Sequence, residues 1–127
     1  VSGPGMRLHR AAGSQEVPRQ GHGIAFCGEE PMEGEPLGPG VRDGNLFARR
    51  STWKGHLRLV HGLRDAHPPR SEGDVILLHA ITGHAHASEA DSPAQPVAPG
   101  ATAIAHGALQ ATLGPDALVL LAELRRR

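Results

Sequence analysis

Tyrosine is absent from this 127-residue chain, and its large rings are Phe26, Phe47 and Trp53 alone. A buried ring contributes ~150–250 Å², so their scarcity leaves Leu, Val, Ile and Ala to build a thin core. One cysteine, Cys27, excludes an intramolecular disulfide. The longest apolar stretch, Ala117 to Ala122, falls far short of the ~18 residues that read as a membrane-crossing helix. No basic-then-apolar leader opens the chain. The expectation is a soluble, cytoplasmic protein.

Ala, Gly, Arg and Pro are what remain, supplying 58 of the 127 residues. Their codons are the GC-rich ones, so nucleotide bias weighs on this sequence beside any packing requirement. That composition keeps open a reading frame without evolved function. Leu, Ile, Val and Phe number 27, close to the ~20% level below which chains tend to disorder. Zero net charge argues the other way, because charge-driven disorder needs an imbalance. The composition predicts a small, low-complexity, partly ordered protein.

Organisation along the chain predicts a marginal α+β fold. Residues 1–45 hold ten Gly and five Pro, and their apolar residues follow no helical or strand period. That third reads as irregular or disordered. Residues 46–127 read as a possible small domain. In it, Leu46, Trp53, Leu57 and Val60 fit one helix face over 46–66. A competing strand alternates Trp53, Leu57 and Leu59 with Lys54, His56 and Arg58. Pro68-Pro69 ends either element. Val75 to Thr82 predicts one buried strand between the breakers Gly73 and Gly83. Residues 88–100, with Pro93, Pro96 and Pro99, read as an extended linker. A small-residue helix is expected near 101–113. A further helix near 116–126 carries Ala117, Leu120, Leu121 and Leu124 on one face, with Arg125, Arg126 and Arg127 at its negative end.

Nine histidines offer a metal chemistry. His84 and His86 leave an extended backbone on the same side, and His79 precedes them on the expected strand, so imidazole nitrogens could converge on zinc with Glu89 or Asp91. Val75-Ile76-Leu77-Leu78 followed by His84-Ala85-His86-Ala87-Ser88-Glu89 is loosely similar to the strand and His-x-His-x-Asp-His motif of the metallo-β-lactamase superfamily. The resemblance implies a metal-dependent hydrolase or a fragment of one. Ser88 and Glu89 stand where that family has Asp and His, which leaves the family unassigned.

Charge segregation is the pattern that composition does not account for. Residues 1–41 carry three Arg against five Glu, and residues 42–70 carry six Arg and Lys54 against Asp43 and Asp65. Residues 71–124 carry six acids and no Lys or Arg, before the three closing arginines. Arg49, Arg50, Lys54 and Arg58, with Arg42, Arg64 and Arg70 around them, predict a surface for an acidic protein partner or for the chain's own acidic half. The neutral total and the lack of a nucleic-acid-binding motif argue against DNA or RNA. The reading favours a non-enzymatic interaction protein over the metal-binding alternative.

Overall fold

Nine strands and no helix make up the described residues, 3–18, 22–62 and 71–127, of this computed structural model. Every strand pairing is antiparallel. The chain divides into two units, Val1–Phe47 and Ala48–Arg127.

The first unit is a three-stranded sheet in which β1 (Met6–Arg10) lies between β2 (Gly13–Val17) and β3 (Met32–Pro36). Its sequence lacks apolar alternation because one side is a ladder of charge. Arg7 stands opposite both Glu16 and Glu35 in the register, and bonds them at 2.8 and 3.4 Å. The other side places Met6 opposite Val17, which is 3% exposed. The expectation of an irregular or disordered first third is corrected by these strands. Cross-strand ion pairs, each worth roughly 0.2–1 kcal/mol, supply register here without a hydrophobic period.

The second unit is a six-stranded sheet in the order β4-β9-β5-β8-β6-β7. Its strands are β4 (Trp53–His61), β5 (Ser71–Thr82), β6 (Ala85–Glu89), β7 (Gln95–Val97), β8 (Thr102–Leu113) and β9 (Leu118–Arg126). The apolar run 75–82 lies within β5, with Ile76, Leu78 and Ala80 turned inward at 1% exposure or less. Register puts Leu121 and Val119 of β9 beside Leu78 and Ala80, and Ala105 of β8 beside Ile76. Opposite residues share a side of the sheet, so the inner side is continuous from Val60 to Val97.

Connectivity shows that the sheet curls. His79 pairs with Thr102 of β8, and Ala85 pairs with Leu113 of the same strand. On a straight β8 those partners stand ~36 Å apart, and β5 continues past His79 in the direction away from Leu113. Yet only Gly83 and His84 separate Thr82 from Ala85, a step of ~10 Å. The corner falls at Gly107, whose φ is 91°, opposite a bulge between Gly73 and Ile76. Only glycine takes that angle without strain. The curl brings Ala85, Ala87, Val97 and Ala111 into one cluster with Ile76, Leu78, Val119 and Leu121. Small side chains suit a surface folded on itself.

An all-β chain overturns the α+β expectation. The segments expected as helices near 46–66, 101–113 and 116–126 hold β4, β8 and β9. In β9 both strand sides meet protein, so Leu118 to Ala122 are apolar throughout and fit either period. Residues 88–100, expected as a linker, contain the end of β6 and all of β7. The Pro68-Pro69 stop and the basic positions Arg64 and Arg70 lie outside the described residues.

Candidate functional site

Antiparallel pairing of β4 with β9 sets Trp53 opposite Arg126 and Lys54 opposite Arg125. The start of the basic block therefore meets the three closing arginines, which lie some seventy residues further along the chain. The junction is closed by the backbone. Arg127 N donates to Thr52 O at 3.0 Å, and the Arg127 side chain donates through Nε to Trp53 O at 3.3 Å. Arg126 lies over the Trp53 ring at 5.5 Å from its centroid. Ahead of β4, a turn in which Thr52 N and Trp53 N both donate to Arg49 O brings Arg49 and Arg50 to the same end.

Lys54 and Arg125 are exposed and share one side of the sheet. Like charges directly opposite each other in a sheet are unfavourable, with Cβ atoms ~4.5–5.5 Å apart. Further along the same side, Arg58 reaches Glu123 at 3.4 Å. His56 stands directly opposite Glu123 in the register. The arrangement is a cationic end that passes inward to a compensated ion pair. Asp74 accepts Arg126 N through Oδ2 at 2.5 Å, which fixes the end of β9 where the β5 bulge begins. An end built in this way can bind carboxylates or other anions. The sequence pointed to Arg49, Arg50, Lys54 and Arg58. It missed Arg125, Arg126 and Arg127, whose partners appear only with the β4–β9 register.

The histidines considered for zinc occupy separate settings. His79 Nδ1 bonds Thr102 Oγ1 at 2.9 Å on β5. His84 lies in the link to β6 with its side chain 87% exposed, 3.8 Å from Asp116. His86 is exposed on β6 opposite Thr112 and Pro96. Glu89 accepts His106 N through Oε1 at 2.7 Å beside the Gly107 corner, and Asp91 follows β6 in a turn. Among the described residues no three His, Cys, Asp or Glu side chains gather closely enough to hold a metal ion.

The first unit carries a second charged arrangement. Arg10 grips Glu30 through two bonds of 2.7 Å. The Arg10 guanidinium holds the Glu30 carboxyl below its ordinary value. Glu35 is likewise lowered, first by its bond from the His9 ring and then by the Arg7 charge. These pairs are matched in sign, and so they read as register devices of the small sheet.

A family model described as HutD matches residues 1–120. Among solved structures, the chain is similar to the crystal structure of the conserved protein of unknown function PA5104 from Pseudomonas aeruginosa PAO1. That similarity has a TM-score of 0.78 at 21% identity, and covers 100% of this chain and 69% of that one. Among curated proteins none matches. No helix among the described residues is long and apolar enough to cross a membrane.

Proposed function

This chain belongs to the HutD family, and from that premise we propose that it is a protein-interaction module whose basic sheet end binds an acidic protein partner. Membership over residues 1–120 weighs against a frame without evolved function. The observation that carries the reading is the facing pair Lys54 and Arg125, set in register among Arg49, Arg126 and Arg127. A facing pair of like charges costs the sheet stability, and a carboxylate seated between them turns that repulsion into two attractions. Among the described residues, Glu123 is already engaged with Arg58 and Asp74 with Arg126 N.

An oligoglutamate peptide titrated against the chain tests the reading, with Trp53, the only tryptophan, as the reporter. Raising salt from about 0.05 to 0.5 M shortens the screening length severalfold, so the affinity falls at least about tenfold. The double substitution Lys54→Glu with Arg125→Glu abolishes binding, and His84→Ala with His86→Ala leaves it intact. Binding that survives the charge reversal contradicts the proposal.

A further inference from the structure

We infer that the acidic partner is received as an added β-strand on the outer edge of β4. The inference rests on the binding reading above and supplies its mode. β4 ends the sheet order and pairs only with β9 among the described residues. Two bonds fix which way its backbone groups point. Arg127 N donates to Thr52 O at 3.0 Å, and Gly62 N donates to Ala117 O at 2.9 Å. Positions 52 and 62 are thus hydrogen-bonded positions of one continuous register. In an antiparallel pair such positions alternate, so 54, 56, 58 and 60 also turn their N–H and C=O groups toward β9. The groups of Gly55 and Leu57 point outward, and both residues are exposed.

Side chains on the two sides of β4 then specify the guest. Lys54, His56 and Arg58 lie on one side, and Trp53, Leu57 and Leu59 on the other. Leu57 keeps 37% of its surface exposed. A strand laid along this edge places alternate residues beside each set. The complementary segment alternates acidic with apolar residues, the acids beside Lys54 and His56 and the apolar residues beside Leu57. Gly55, having no side chain, leaves room next to Trp53 for a large apolar group. A second copy of β4 is a poor guest, because antiparallel pairing centred on Leu57 sets each His56 beside the other copy's Arg58. Strand addition draws affinity from the main chain and specificity from alternate side chains.

Two peptides of equal composition separate the mode from the charge. One alternates glutamate and valine, and the other groups them in two blocks. Trp53 fluorescence reads affinity, and amide hydrogen exchange in the intact chain reads the edge. The alternating peptide is expected to bind at least about tenfold more tightly, since two or more added backbone bonds supply that factor. N-methylation of its alternate amides on one edge removes the gain. Exchange slows at Gly55 and Leu57, while His56 and Arg58, turned toward β9, keep their rates. Equal affinities for the two peptides, or unchanged exchange at Gly55 and Leu57, overturn strand addition. If oligoglutamate still binds in that case, the basic end survives as a purely electrostatic site. If no acidic peptide binds, both readings fail, and Lys54 and Arg58 serve only to guard an edge against aggregation.

Discussion

Replacing Gly83 by alanine tests the crossing on which the second unit depends. Gly83 links β5 to β6 with φ at 73°, and a Cβ there meets Asp116 C and O at 2.5 Å and Ala117 Cα at 2.6 Å. All three atoms are backbone, so no side chain can swing aside. Gly100 supplies the control. Its φ is 85°, and a Cβ there meets nothing within 4 Å. Both substitutions incur the left-handed cost of ~1–2 kcal/mol, and only Gly83→Ala adds overpacking of ~1–3 kcal/mol. A unit of eighty residues holds roughly 4–12 kcal/mol in total. Gly83→Ala therefore removes a large share of the stability and Gly100→Ala a small one. Urea unfolding followed by Trp53 fluorescence reads the difference. With a slope of about 1 kcal/mol per molar, the Gly100→Ala midpoint falls by about 1–2 M and that of Gly83→Ala by at least 1 M more. Equal midpoints for the two variants would refute the close approach of the β5–β6 link to the β8–β9 turn.

Leu78→Ala, at a position 1% exposed, is expected to cost about 2–5 kcal/mol, seen as a loss of urea midpoint without a change in slope; a loss below 1 kcal/mol contradicts the inner side assigned to β5. Acid should loosen the first sheet. Glu30 and Glu35 are held below their ordinary values by Arg10, and by His9 and Arg7, so the stability they contribute is present above about pH 4.3 and is lost as pH falls through their lower native values. Amide signals of β1 to β3 followed down that range should report the loss, and Glu30→Gln with Glu35→Gln should flatten it. Arg126→Ala removes a cation from the Trp53 ring, a change of ~0.5–1 kcal/mol at an exposed site, together with a shift in Trp53 emission.

How much of this was legible in the sequence depended on which period a segment could hide. The run 75–82 reads as a strand because Val75, Ile76, Ile81 and Thr82 are β-branched and bounded by Gly73 and Gly83. β4 also shows its alternation, and Gly62 at its exit lies so close to the backbone of Gly114 that a Cβ there would collide with Gly114 O. β9 was not legible. Both of its side-chain faces are buried or half-buried from Leu118 to Ala122, so these residues are apolar at every position and satisfy the helical spacing equally well. β8 misled through alanine, a strong helix former. Here Ala105 and Ala111 are buried members of the cluster on the curled inner side. In the first unit, Arg7, Glu16 and Glu35 carry the register, which a search for apolar periods cannot see. The basic block was legible as charge, and its union with Arg125, Arg126 and Arg127 was not, since one-dimensional spacing holds no record of which strands pair.

Amide chemical-shift mapping of the chain titrated with oligoglutamate tests the binding account most directly. The account predicts shifts concentrated at residues 49–57 and 122–127, growing together and vanishing at high salt. Shifts centred on His79, His84 and His86, or scattered along the chain without saturation, would contradict it.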